Sequence, residues 1–232
     1  MDANQQPQHL SIVATADGSN TIYNAQVGEN YHSRNGALQE SRHVFLQSGL
    51  VYFLLNAPTI HATVSILEVG FGTGLNFLLS ADYCAAQNIG LDYTGIEASP
   101  LSPEMIAQTG YDKFISATTW NNFLQTYPAS LTAKSSFSDS IQLQTARCPL
   151  LSFSSTQKFD IIYFDAFAAA YQPEMWDEAA INHTLSFLKP GGVFVTYAIT
   201  GNLKRMVKAL GLKVEKAPGA PGKREMLRAV SS

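Results

Sequence analysis

Three features of this chain are spaced as chemistry would need them: a glycine turn and two single carboxylates further on. The turn is Glu68-Val69-Gly70-Phe71-Gly72-Thr73-Gly74-Leu75-Asn76, with glycines where side chains would keep a ligand away from the backbone. A dinucleotide-binding turn reads GxGxxG and aims a helix N-terminus at a pyrophosphate. Here the spacing is GxGxG behind an acid. That suits a ligand without phosphate but with a charged amino-acid tail and a sulfonium, both satisfied by backbone amides and carboxylates. Glu68, Gly70, Phe71, Gly72, Gly74 and Asn76 are the candidate residues for it. Glu97 lies at about the separation from the glycines at which a ribose-binding acid is expected, and its carboxylate could accept from both hydroxyls. Asp165, in Tyr163-Phe164-Asp165-Ala166-Phe167, precedes Ala168-Ala169-Ala170-Tyr171 and Trp176, and is the catalytic candidate as well as a neighbour of the ligand. Plainer readings stand beside each of these: tight strand-to-helix packing, a surface acid at a strand end, and an N-cap or buried structural aspartate.

The elements around these residues follow from hydrophobic pattern. VSILEVG has no polar alternation, as expected of a parallel strand buried on both faces, and the glycines stop it. In LNFLLSADYCAAQ, Leu75, Leu78, Leu79, Tyr83 and Ala86 form a helical stripe. LDYTGIEAS is a second strand ending near Glu97, and Ser102 with Pro103 opens a helix. Residues 114–140 are expected to form short helices and a loop. SIQLQTA and KFDIIYFDAF are strands, the latter ending at Asp165. PEMWDEAAINHTLSFL is a helix opened by Pro173 and closed by KPGG. GVFVTYAIT is a strand, NLKRMVKALGL a helix, and LKVEKA with REMLRAV a closing pair. This alternation implies βαβ units, hence an α/β fold with a mostly parallel sheet covered on both faces and an antiparallel hairpin at the end. Ahead of it, TIYN and ENYHS read as short strands, followed by a helix from about Gly36 that turns Val44, Phe45 and Leu46 inward. The expected layout is a flexible stretch over 1–20, a cap over 21–60 and the main domain over 61–230, the last two forming one structural unit.

A length of 232 residues with 46% hydrophobic content can bury one substantial core. No secretory signal or membrane-spanning run is evident, so a soluble cytoplasmic protein is expected. Cys84 and Cys148 lack CxxC or His partners and are expected to be inert core thiols, with no metal site. His32 and His43 lack ligand spacing and are expected to be hydrogen-bonded structural residues. No serine sits in a nucleophile elbow, which removes support for hydrolase chemistry. The net charge is −3, but unevenly laid out: residues 1–203 carry −9 and residues 204–232 carry +6. The basic set is Lys204, Arg205, Lys208, Lys213, Lys216, Lys223, Arg224 and Arg228, either a polyanion-binding surface or a solvated helix face and edge.

Taken together, GENYHSRNGALQESRHVFLQSGL, ILEVGFGTGLNFLL, YFDAFAAAYQPEMW, GGVFVTYAITGNLKRMVKALGL and PGAPGKREMLRA resemble the methyltransferase domain of the bacterial enzyme MnmC, a domain also found as a stand-alone protein. The resemblance implies a class I, Rossmann-like methyltransferase fold with a seven-stranded sheet and S-adenosyl-L-methionine as cofactor. It implies as acceptor the 5-aminomethyl-2-thiouridine at the tRNA wobble position, which becomes 5-methylaminomethyl-2-thiouridine. In that family the aspartate of the DAF or DGF segment, here Asp165, faces the methyl-accepting amine. Tyr31, Phe167 and Tyr171 could then stack on a splayed anticodon-loop base, while Lys204, Arg205, Lys208, Lys223 and Arg224 contact tRNA phosphates.

Two departures from the family pattern stand out. Ala169 takes the place of a usual proline, and Thr145-Ala146-Arg147-Cys148 offers no acid for adenine. The flavin-dependent oxidoreductase half of the bifunctional enzyme has no counterpart in these residues, so only the methyl step is expected and another enzyme must supply the aminomethyl-uridine precursor. Oligomeric state is left open. Rival readings are a methyltransferase of the same fold acting on a small-molecule or protein amine, a non-catalytic cofactor- or RNA-binding protein, and a nicotinamide dehydrogenase, against which the GxGxG spacing counts.

Overall fold

A computed structural model of the chain describes residues 9–57 and 62–232. Its centre is an eight-stranded sheet in the order β10-β11-β9-β8-β4-β5-β7-β6. The parallel strands are β4 (Thr63–Val69), β5 (Gly90–Ile96), β7 (Ile141–Ala146), β8 (Phe159–Phe164) and β9 (Leu188–Thr196). Antiparallel strands close both edges: β6 (Ser135–Ser136) beside β7, and the hairpin of β10 (Lys213–Pro218) and β11 (Glu225–Val230) beside β9. Eight strands rather than seven result because the two-residue β6 folds back on β7, a pairing too short to leave a hydrophobic pattern.

Strand pleating divides the core in two. Ile66, Ile161 and Tyr163 join the cluster on one face, and Leu67, Ile162 and Phe164 join the cluster on the other. The first face is covered by α3 (Leu75–Gln87), α5 (Ala117–Ser130) and a continuous helical stretch made of α1 (Ala37–Glu40), π turns over Ser41–Val51 and α2 (Tyr52–Asn56). The second face is covered by α6 (Glu178–Leu185) and α7 (Gly201–Ala209). The short α4 (Pro103–Ala107) is capped by Ser102, whose side chain accepts from the Met105 amide, as the Ser-Pro pair predicts.

The chain winds outward from β4 through β5 to β7, then returns across β4 to β8. The switch point therefore lies between β4 and β8, whose carboxyl ends carry Gly70 and Asp165. A smaller antiparallel sheet, β1 (Leu10–Ala14), β2 (Asn20–Asn24) and β3 (Glu29–Asn30), forms the cap.

Local expectations fail where a polar or proline signal was weighed alone. The expected flexible stretch over 1–20 is paired over Leu10–Ala14, while residues 1–8 and the expected cap boundary at 60/61 lie outside the described residues. Residues 114–140 hold one 14-residue helix, α5, with Pro128 inside its last turn. Pro173–Trp176 is a separate 3-10 turn, and α6 starts instead at Asp177, whose side chain caps the Ala180 amide. KPGG belongs to the irregular start of β9, so that strand ends at Thr196, short of the expected Thr200. Ala86 on α3 is exposed, whereas Phe77, Ala81 and Cys84 are buried.

Candidate active site

Every site residue that ends a parallel strand lies along one edge of the sheet. After β4 the backbone doubles back: the Gly70 and Phe71 amides both donate to Ile96 O, at 3.0 and 3.2 Å. Gly70 has φ +85°, and a Cβ there would stand 2.5 Å from Asp165 O, a backbone atom that cannot move aside. A Cβ on Gly72 would stand 2.9 Å from the Tyr31 ring. The turn is thus held between the loop after β8 and the cap.

Glu97 follows β5. Its Oε2 accepts from the Gly72 amide at 3.0 Å and its Oε1 from the Ser99 amide at 2.9 Å. A carboxylate has about four lone-pair sites, so the vicinal hydroxyls of a ribose can still be received. Burial raises its pKa above the usual range.

Asp165 follows β8. The Asp165 amide donates to Val69 O at 2.8 Å, tying the catalytic loop to the glycine strand. Its half-buried carboxyl is pushed up to about 8, chiefly by loss of water and secondly by the charge of Glu40, while the Asn76 hydrogen bond and Lys223 oppose the rise. Two further hydrogen bonds fix the loop: Tyr197 OH donates to Ala166 O at 2.9 Å and Trp176 Nε1 to Phe167 O at 2.7 Å.

Two cavities meet at Asp165. The first, about 300 Å³, is lined by Gly70, Phe71, Gly72 and Glu97, with an apolar slot between Ile96 and Pro149-Leu150. The second, about 540 Å³, lies under the cap and is bounded by Tyr171, Tyr197, Glu40 and Lys223. Tyr31, His32, Asp165, Ala166 and Phe167 line both. Tyr31 and Phe167 pack edge to face, ring centres 5.1 Å apart, and Tyr171 stands half exposed at the second cavity.

Several expected positions are corrected. Glu68, Gly74 and Asn76 line neither cavity. Glu68 is wholly buried, accepting from Tyr93 OH at 2.8 Å and from Asn76 Nδ2 at 2.7 Å, because it points to the face of β4 that α3 covers. Gly74 starts α3 with φ +75° against Phe123. Cys148 is only half-buried and lines the first cavity, so it is no core thiol.

Of the basic tail, Lys223 is turned inward: its ammonium lies 2.6 Å from Glu40 Oε2 and 3.9 Å from the centre of the Tyr197 ring. Arg228 pairs with Glu215, and Lys216 with Glu225. Lys204, Arg205, Lys208 and Arg224 have no ion pair among the described residues. Arg205, Lys208 and Arg224 are exposed. α7, with Leu203 and Val207 inward, begins just past the carboxyl end of β9 and contributes no residue to either cavity.

Sequence reasoning missed Glu40, Tyr197 and the slot residues. Tyr197 directly follows a parallel strand, so the rule that found Glu97 and Asp165 also reaches it. Glu40 carries no such signal. His43 has the expected structural bond, between Nε2 and Pro218 O at 2.7 Å. Among the described residues no cluster of His, Cys, Asp or Glu could hold a metal, and no helix is long and apolar enough to cross a membrane.

A glycine turn and an acid on adjacent strand ends, with a carboxylate facing them across the switch point, define a Rossmann-like enzyme that holds a nucleoside-bearing group donor. Likeness to known proteins carries this further. The family model for S-adenosyl-L-methionine-dependent methyltransferases matches residues 114–232, just over half of the chain. The tRNA 5-methylaminomethyl-2-thiouridine biosynthesis bifunctional protein MnmC of Magnetococcus marinus is 29% identical over 97% of this chain and 35% of its own length. That of Methylobacillus flagellatus is 30% identical over 88% of this chain and 33% of its own. The chain therefore spans about a third of the length of these relatives. The crystal structure of MnmC2 from Aquifex aeolicus superposes with a TM-score of 0.74 at 20% identity, over 98% of this chain and 72% of that one, so the fold is shared. The chain belongs to the S-adenosyl-L-methionine-dependent methyltransferase family, and its cofactor is S-adenosyl-L-methionine.

Proposed function

We propose that this enzyme methylates the aminomethyl group of 5-aminomethyl-2-thiouridine at the tRNA wobble position, giving 5-methylaminomethyl-2-thiouridine. The observation that carries the reading is the position of Asp165 in the wall shared by the two cavities, one suited to the donor and one to the acceptor. The relatives named for biosynthesis of that nucleoside supply the acceptor.

The first cavity fits the donor. Gly70 and Gly72 leave room along the backbone, Glu97 keeps lone pairs for ribose, Ile96 with Pro149-Leu150 offers apolar walls for a purine, and Glu97 favours a cation. When bound, S-adenosyl-L-methionine supplies a methyl group already made electrophilic by its sulfonium. The remaining task for the protein is to present a neutral amine in line with it. An amine with a lysine-like pKa of about 10.4 costs about 4 to 5 kcal/mol to deprotonate at pH 7. A carboxylate beside it favours ammonium, so Asp165 does not lower the amine's pKa. Held at about 8, Asp165 is largely protonated at pH 7 in the empty site; in its ionised form, which the cationic donor favours, it offers an acceptor that orients the N–H and takes the proton. Moving that proton to a carboxylate held at about 8 is uphill by about 3 kcal/mol, against about 9 kcal/mol for an ordinary aspartate.

Tyr31, Phe167 and Tyr171 stack on the splayed base in the second cavity. Lys204, Arg205 and Lys208 on α7, with Arg224, meet the phosphates of the anticodon loop, while Lys223 serves the cavity wall. Such a substrate places the enzyme in the cytoplasm, downstream of an enzyme that makes the aminomethyl precursor.

The test is methyl transfer from labelled S-adenosyl-L-methionine to tRNA lacking only the final methyl, followed by nucleoside analysis. Label in 5-methylaminomethyl-2-thiouridine is expected. Label found only in a small-molecule or protein amine would move the enzyme to that acceptor class.

A further inference from the structure

His32 sits where both cavities meet, and its hydrogen bonding determines which ring nitrogen carries the proton. The His32 backbone N–H donates to Thr21 Oγ1 at 3.0 Å, and the same oxygen lies 3.3 Å from His32 Nδ1. Thr21 is fully buried, and its hydroxyl has no other acceptor among the described residues. Were Nδ1 protonated, that hydroxyl would accept twice and leave its own proton buried without a partner, which is costly. Thr21 therefore donates to Nδ1. Burial, against the opposing charges of Glu40 and Asp17, holds the ring neutral down to about pH 4, so the single ring proton is on Nε2. Nε2 has no hydrogen-bond partner among the described residues. His32 is 8% exposed and lines both cavities.

We infer that His32 is a specificity-determining residue, a neutral Nε2–H donor to a carbonyl oxygen of the methyl-accepting pyrimidine. This rests on the tRNA reading above and deepens it. A splayed base in the second cavity stacks on Tyr31 and Phe167, and its edge must then be read by a group at the same junction. A neutral imidazole suits a neutral carbonyl. It also adds no positive charge beside an amine whose orientation depends on Asp165.

Two variants separate the two ring nitrogens. In H32N the side-chain oxygen can still accept from Thr21 but nothing reaches the position of Nε2. In H32Q the amide nitrogen reaches that position while the hydrogen bond from Thr21 is broken. Steady-state kinetics on the aminomethyl tRNA, calorimetry with S-adenosylhomocysteine and thermal melting are measured for wild type and both variants. H32N is expected to raise KM for tRNA by roughly fivefold to tenfold, the worth of one hydrogen bond, with kcat within about twofold and S-adenosylhomocysteine affinity unchanged. H32Q is expected to restore KM while melting lower. A wild-type KM in H32N, or equal impairment in both variants, would return His32 to a structural role. Weakened S-adenosylhomocysteine binding in H32N would assign Nε2–H to the donor's carboxylate and overturn the inference. An inert wild type sinks the functional reading itself, and this one with it, a result distinct from either variant's behaviour.

Discussion

Asn76 donates from Nδ2 to Asp165 Oδ2 at 2.8 Å, and the same nitrogen reaches Glu68 Oε1 at 2.7 Å. One amide on α3 therefore holds the carboxyl proposed to be catalytic against a buried acid whose own pKa is driven up by burial and by Asp165. The price is Asn76 Oδ1, buried without a partner. Lining neither cavity, Asn76 is proposed as a positioning residue for Asp165. N76A removes a bond that lowers the pKa of Asp165, so the acidic limb of the kcat/KM profile should move to higher pH. Loss of alignment should cost on the order of 100-fold in kcat. A pH profile unchanged in N76A would refute this role.

Stability should depend on pH through Asp165 itself. Folding raises its pKa from 3.8 to about 8, so the folded chain binds this proton more tightly than the unfolded chain. The associated stability is fully present below about pH 4 and is lost as pH climbs through 8. D165N should melt like the wild type at or just below pH 4. At pH 8.5 it should be the more stable, by about 2 kcal/mol once solvent screening is allowed for. Urea titrations at the two values check this.

Glu97 offers a separate handle on the donor. E97A should weaken S-adenosylhomocysteine by roughly 10-fold to 100-fold, since a charged acceptor of hydrogen bonds is removed and the Gly72 and Ser99 amides lose their partner. E97Q, which keeps an acceptor for one amide, should lie between. Isothermal calorimetry decides the order.

Charge reversal of Lys204, Arg205 and Lys208 should weaken tRNA and flatten the plot of log affinity against log salt, by about one unit of slope for each phosphate no longer neutralised. Donor affinity should not change. A slope unaltered in the triple variant would leave these side chains as a solvated helix face.

What the sequence made legible were the ends of strands. Gly70, Glu97 and Asp165 each follow a run of buried aliphatic or aromatic residues, and parallel strands bring such ends to one edge by topology alone. What stayed hidden depends on packing between distant stretches. Glu40 reaches Lys223 across 183 residues, and no local pattern marks a helix glutamate as a cavity wall. Glu68 was legible as an acid but not as one turned away from the ligand, because the pleat decides that, one residue at a time. Trp176 and Tyr197 brace the catalytic loop by bonds to its carbonyls, and carbonyl partners have no sequence signature. The basic tail was legible as charge, yet Lys216, Lys223 and Arg228 are engaged within the chain.

The second cavity draws its walls from residues 28–34, 40, 165–168, 171, 197 and 223, and takes nothing from the glycine turn or from Glu97. In the proposed reading, recognition of what receives the methyl group is written in residues 28–34, Glu40 and a few distant loops, with Tyr31, His32, Asp165, Ala166 and Phe167 shared with the cavity assigned to the source. Remodelling only the unshared wall, residues 28–30, 33, 34 and 40, is the route by which a scaffold of this kind could be given a new recipient while its grip on the methyl source stays intact.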